Sequence, residues 1–380
     1  MPSSVLGRAW AFAIDNSLLL IIGTVAALVW ANLDLEHYNT FAHHDWLHFA
    51  VNDIGMAFFF AIAAKEVYEA TLPGGPLSSP RQAAVPLFAA VGGMIAPASG
   101  YLAGIALLGQ PDLHSGWAIP CATDIAFSYL AARLIFATGH PAIPFLLLLA
   151  IADDAMGLVI LAVFYPSGEV SFLHLVMLLV PALVLAWAMR RVGVRSFWLY
   201  LFGPGLLSWF ALHEGGLHPA LALVPIVPFM PHGKVRIARF GGESYQADTM
   251  DAFEHWWHVP VQVILFGFGF VNAGVPVSAV GPITWIVMTS LIVGKPVGIL
   301  GTTWLAARIG FGRTAGLSYA AVLVVGVAAG IGFTVALFFA TAAFPPGLIL
   351  DEAKMGALLS FLALPLAVML GRTMRVRQIT

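Results

Sequence analysis

The sequence predicts an all-α polytopic membrane protein, a single transmembrane domain over residues 1–380 with about twelve spanning helices. Three observations carry this. Apolar residues make up 60% of the chain and charged residues only 9%, too few to cover a soluble fold, in which about a quarter are charged. The mean hydropathy is +0.91. The apolar runs are long and continuous rather than alternating, which favours helices over a closed barrel. A formal net charge of −2 excludes a nucleic-acid partner. The one cysteine, Cys121, excludes an internal disulfide.

Polar breaks mark the spans near 10–31, 46–70, 83–109, 116–137, 142–165, 171–190, 196–212, 216–231, 255–274, 281–307, 317–344 and 353–373. The first is retained rather than cleaved, because Asp15 and Asn16 sit where a signal peptide is apolar. The second carries Asp53 and ends on Lys65, Glu66 and Glu69. The fourth is interrupted at Pro120, which cannot continue the backbone ladder, with Thr123 able to bond the freed groups. The fifth holds Asp153 and Asp154 in unbroken apolar sequence. The tenth contains Lys295 followed by Pro296. The eleventh carries Gly330-Ile331-Gly332, poor helix sequence at mid-span. Spans 3–5 and 10–12 are thus two triplets with an interrupted middle helix, the pattern of inverted repeats with a site between them.

Basic residues set the orientation. All but Lys65, Lys295 and Lys354 of the 17 Lys and Arg residues fall on one side of this arrangement. The opposite loops carry Asp34, Glu36, Asp45, Asp112, Glu169, Glu214, Asp351 and Glu352. The positive-inside rule then puts both termini in the cytoplasm. Lys65 is expected to reach that interface by snorkelling.

An ionisable group at membrane depth is costly unless it faces a cavity or a partner. Adjacent helical residues point about 100° apart, so one of Asp153 and Asp154 can face a water path while the other meets a second helix. Two close carboxylates do not both ionise easily in low dielectric. Such a pair holds protons, or a hard cation through oxygen ligands, but hardly both. Competition of that kind is the core of an exchanger; the plainer reading is a pair of acids tying helices together. Asp124 beside the fourth-span break can offset positive helix ends or ligate a cation, or merely accompany a proline kink. Lys295 can neutralise an aspartate or the negative ends of broken helices, or act as a structural counter-ion.

Six stretches carry a resemblance: RQAAVPLFAAVGGMIAPA (81–98), GWAIPCATDIAF (116–127), LLLLAIADDAMGLVILAVFY (146–165), FVNAGV (270–275), VGKPVGI (293–299) and VVGVAAGIGFT (324–334). In order and content they resemble the NhaA family of sodium/proton antiporters, itself a standard instance of inverted repeats with broken helices. The resemblance implies exchange of cytoplasmic Na⁺ or Li⁺ for external H⁺ across the inner membrane, and electrogenic exchange with more than one proton per cation. It implies a cation and proton site at Asp153 and Asp154, supported by Asp124, Thr123, Lys295 and Asp53. It places pH sensing at Glu66, Glu254, His255 and His258, although Tyr68 and Glu69 stand where basic residues usually follow Glu66. It implies a homodimer, yet the loop between spans 1 and 2 leaves no room for the β-hairpin that joins two protomers. No cofactor is expected. The rival readings are a cation channel and an intramembrane aspartyl protease; the G-x-G-D stretch of the latter is absent.

Overall fold

The computed structural model describes residues 10, 13–14, 17–232, 248–311 and 316–376, with the backbone alone at 80–82. Arg8, Lys234, Arg236, Arg239, Arg313, Arg377 and the side chain of Arg81, all used for the orientation, lie outside the described residues.

Helix α1 (Leu18–Leu33) is apolar apart from Thr24 and Asn32 and leads directly into the short α2 (Leu35–Ala42). Asp34 caps α2 by accepting from the His37 amide at 3.1 Å. That bond, with the His37 ring, holds its exposed carboxyl below the usual range. Helix α3 (Asp45–Thr71) contains a π turn over Phe49–Gly55 that carries Asn52 and Asp53; such turns mark sites where a side chain is re-aimed. Helix α4 (Pro80–Leu107) starts on a proline, where the missing N–H costs nothing. A 3₁₀ stretch (Pro111–Cys121) precedes α5 (Ile125–Ile135), and α6 (Ala142–Phe164) follows. His140 joins these two, its buried Nδ1 accepting from the Ala142 amide at 3.1 Å, and burial pushes its pKa down.

Helix α7 (Phe172–Val192) ends at Gly193, whose φ of 83° is the left-handed closure glycine makes cheaply. A π turn (Leu201–Gly205) leads into α8 (Leu206–Glu214). Then come α9 (Thr249–Asn272), α10 (Pro282–Arg308), the pair α11 (Tyr319–Ala329) and α12 (Phe333–Ala343), and α13 (Leu348–Thr373). Among the described residues all elements are helical.

Six helices, α3, α4 from Ala83, α6, α7, α10 and α13, are long and apolar enough to cross a membrane. Two further pairs, the 3₁₀ stretch with α5 and α11 with α12, are long and apolar enough if each is taken as one span, and each is bent by 51° at its break. Both interruptions fall where the sequence places them. The eighth expected span does not form a helix of that length. Residues 216–231 hold only the 3₁₀ turns Pro219–Leu221 and Val227–Phe229. Pro219, Pro225 and Pro228 remove ladder donors too closely for a helix to continue.

The helices pack through small residues, as in membranes generally. Helix α4 crosses α10 so closely that a Cβ on Gly298 would lie 2.0 Å from the Gly92 carbonyl oxygen. The main buried cluster surrounds the two breaks. A second one joins α7, α9 and the 216–231 segment around Tyr200, Ile226 and Phe253.

Candidate cation site at the crossed helix breaks

The two interrupted spans meet at their breaks. Ala122 and Asp124 are extended, so the chain leaves one helix before entering the next. The Asp124 amide donates to the Ile331 carbonyl at 2.7 Å. Thr123 Oγ1 donates to the Ala329 carbonyl at 3.2 Å, and Ser128 Oγ to that of Ala328 at 2.9 Å. These hydroxyls bond carbonyls in the last turn of α11, where that of Ala328 also accepts from the Ile331 amide at 3.3 Å.

Asp124 serves both helices that start here. Its Oδ1 accepts from the Phe127 amide in the first turn of α5 at 3.4 Å. Its Oδ2 accepts from the Thr334 amide of α12 at 3.3 Å and from the Thr334 hydroxyl. One carboxylate thus offsets two positive helix ends in low dielectric, each worth up to about 2 kcal/mol when buried. Asp124→Ala is expected to cost about 2–4 kcal/mol, two lost caps plus an orphaned hydroxyl. The check is a fall in the temperature at which the detergent-solubilised protein loses its monodisperse peak. Asp124→Asn, which can still accept one cap, should fall between.

Lys295 serves the negative end. A π turn (Ser290–Gly294) ahead of Lys295-Pro296 re-aims α10 at this point. The fully buried ammonium donates to the Cys121 carbonyl, at the end of the 3₁₀ stretch, and pairs with Asp153 Oδ2 at 2.9 Å. Asp153 is 3% exposed, and its Oδ1 has no hydrogen-bond partner. Asp154, one residue on around α6, is half-buried. It makes no hydrogen bond or ion pair with any described residue. Both carboxylates open on a cavity whose wall includes Phe59, Phe60, Cys121 and Phe338. An orphaned buried oxygen beside a free carboxylate is a donor set for protons or for a small hard cation. Among the described residues no three His, Cys, Asp or Glu side chains are arranged to hold a resident metal.

The other expected residues lie apart from this cavity. Asp53 faces His218 Nδ1 across 3.9 Å, on the far side of Phe60 along α3. Glu66 is half-buried on α3. Glu254 turns toward α3 and bonds Lys65, whereas His255 and His258 are exposed on the outer side of α9. Lys65 does not snorkel. It is 4% exposed and held by Glu69 at 2.9 Å, Asp251 at 3.5 Å and Glu254. Three carboxylates supply the counter-charge, so its amine need not reach water.

Sequence reading passed over His218 and the rings of Phe60 and Phe338. His218 lay in an expected span, and counting histidines among the ionisable groups at membrane depth would have flagged it. Nothing in the sequence distinguishes Phe60 or Phe338 among 27 phenylalanines.

The family model described as Na⁺/H⁺ antiporter 1 matches residues 10–373. The chain is 46% identical over 376 residues to the Na⁺/H⁺ antiporter NhaA 2 of Pelobacter propionicus, covering 96% of this chain and 97% of that one. It is 46% identical over 375 residues to the Na⁺/H⁺ antiporter NhaA of Geobacter metallireducens, covering 96% and 97%. With the NhaA of Jannaschia sp. it shares 45% identity over 417 residues, covering 98% and 99%. The solved sodium proton antiporter MjNhaP1 of Methanocaldococcus jannaschii is a distant likeness, with 13% identity, a TM-score of 0.46 and coverage of 98% and 97%. The chain belongs to the Na⁺/H⁺ antiporter family of which NhaA is the named member, a family of transporters rather than enzymes.

Proposed function

We propose that the protein exchanges cytoplasmic Na⁺, or Li⁺, for external H⁺ by alternating access at Asp153 and Asp154. The observation that carries this reading is the pairing of an orphaned Asp153 oxygen with an unbonded Asp154 carboxylate on one cavity wall. Protons and Na⁺ compete for those oxygens. Either occupant neutralises the site and permits the change of facing, while the empty charged site is penalised in low dielectric. Lys295, bound to Asp153, supplies a further charge whose release makes the exchange electrogenic. Asp124 and Thr123 hold the breaks that shape the site.

The finer architecture belongs to the same reading. It comprises twelve spans with both termini cytoplasmic in the inner membrane, and spans 3–5 and 10–12 as inverted triplets. The two bent pairs at matching places support the triplets. Glu66 and Glu254, with His255 and His258, are the groups assigned to pH control. A homodimer in the lipid bilayer is included on the family resemblance alone, and α2 stands where the joining hairpin would be.

Proteoliposomes carrying an internal pH dye test the exchange. Na⁺ or Li⁺ added outside acid-loaded vesicles should alkalinise the lumen, K⁺ should not, and clamping the potential should change the rate. Absence of cation-driven proton movement overturns the reading. Cation current far above carrier turnover, with no proton counter-flow, would favour a channel.

A further inference from the structure

We propose that Lys354 determines the sidedness of cation binding: its unpaired ammonium, buried behind the face that bears Asp34, Asp45 and Asp351, sets the approach from that face against Na⁺, so that the cation is discharged there while protons return. This inference rests on the exchange reading.

Three lysines are buried among the described residues, and the packing accounts for two of them. Lys65 meets three carboxylates, and Lys295 meets Asp153 and the Cys121 carbonyl. Lys354, on α13, is 3% exposed and makes no hydrogen bond or ion pair with any described residue. A buried charge without a bonded partner is costly, so a lysine kept in that state is not there to tie helices together. The tie at this level is made by Glu352 instead. Its Oε2 accepts from the Ile283 amide at the start of α10 at 2.9 Å, and its backbone carbonyl accepts from the Thr284 hydroxyl at 2.9 Å.

Helix geometry fixes where the ammonium points. Glu352 and Gly356 both face α10, since a Cβ on Gly356 would lie 2.7 Å from the Thr284 carbonyl oxygen. Lys354 is two residues from each, about 200° around α13, so its side chain leaves on the side away from α10. The groups within reach of its charge come from α3 and the turn before it. They are His43, ahead of α3, and His48, in its first turn. Burial and then the Lys354 charge push the pKa of the His43 ring down. Asp351, three residues back, acts on Lys354 by charge without closing to an ion pair. The same neighbours lead inward. His48 acts by charge on His218, which packs on Phe338 at 4.8 Å, and Phe338 lines the cavity with Asp153 and Asp154. Lys354 thus stands at the outer end of a line of side chains that ends on the cavity wall.

The surroundings decide what a positive charge does there. Asp34, Asp45 and Asp351 make this face attractive to any cation. An acidic mouth alone would hold a departing Na⁺ and hand it back to the Asp153–Asp154 cavity. A fixed ammonium at the same mouth opposes that return, and its burial limits the screening that weakens a surface lysine. Protons are not held off in the same way, because the imidazoles of His43 and His48 take them up from water and pass them on between ring nitrogens. The charge therefore separates the two substrates by how they travel.

The test reads cation affinity from each face. Membrane vesicles of both orientations, told apart by an epitope at the C-terminus, are given a proton gradient. The initial rate of radioactive Na⁺ uptake is then followed against Na⁺ concentration at neutral pH. Lys354→Met should lower KM for Na⁺ from the acidic face by roughly threefold or more and leave KM from the basic face unchanged. Lys354→Arg, which keeps the charge, should match the wild type from both faces. An unchanged acidic-face KM in Lys354→Met overturns the proposal. An equal shift from both faces also overturns it, because that is what a general change at the cation site produces, and so does an arginine variant that behaves like the methionine one. Removing an unpaired buried charge should not unfold the protein. If Lys354→Met gives no monodisperse protein, Lys354→Gln is read by the same thresholds, and failure of both to fold overturns the proposal by making the ammonium structural. Wild-type uptake that no proton gradient drives condemns the exchange reading, whereas the ratio of the two KM values judges Lys354.

Discussion

Asp154→Asn abolishes Na⁺-driven proton movement, by a hundredfold or more, and leaves the protein folded. The two halves of this expectation have separate causes. Asp154 bonds to no described residue, so the amide breaks no structural contact. It also removes a half-buried charge from the neighbourhood of Asp153, which should leave thermal stability equal or higher. Transport fails because an amide neither releases a proton nor supplies the charge that balances a bound cation. Losing a charged partner in a desolvated site costs about 3–5 kcal/mol, and every 1.4 kcal/mol is tenfold in affinity. Dye-loaded proteoliposomes measure the rate, and size exclusion of the same preparation measures the fold. Normal exchange by this variant would remove the Asp pair from the mechanism.

Lys295→Ala carries the second large effect, on stability. The ammonium holds both the Cys121 carbonyl and Asp153 Oδ2, and none of these groups reaches solvent appreciably. Removal leaves Asp153 with neither oxygen bonded. The cost is about 3–5 kcal/mol, since the remaining buried charge is uncompensated. Asp153→Leu combined with Lys295→Met removes both partners and should regain most of that stability, because an apolar pair of similar bulk replaces a desolvated ion pair well. The double variant remains inactive. Thermal melts of Asp153→Leu, Lys295→Met and the double variant form the double-mutant cycle, and additive losses would show that the two residues do not interact.

How much of this was legible in the sequence depended on what kind of residue carried it. Asp153, Asp154 and Lys295 were readable because charge is scarce in apolar runs, so each instance needs a reason. Both breaks were readable from Pro120 and from Gly330 and Gly332. What Asp124 does was readable only by half. The proline shows that a helix starts beside it, but not that a second helix, some 210 positions along, starts there too. The 216–231 segment misled by composition. Its hydropathy suits a span, and the spacing of Pro219, Pro225 and Pro228 is what prevents one. Lys65 misled for a different reason. Its nearest acids, apart from Glu69, sit on α9, almost 190 residues away, and no local pattern announces a partner at that separation. The same holds for Asp53 and His218.

The shared role of Asp124 has a kinematic consequence. Two half-helices that draw on one carboxylate cannot be pulled apart separately, because freeing either one bares a helix end and strands half of the other's counter-charge. The hydroxyls of Thr123 and Ser128 tie the remaining ends across the same gap. In the alternating-access cycle proposed above, the crossing would therefore turn as an axle, one rigid piece, and the freedom to change facing would belong to the helices sliding around it.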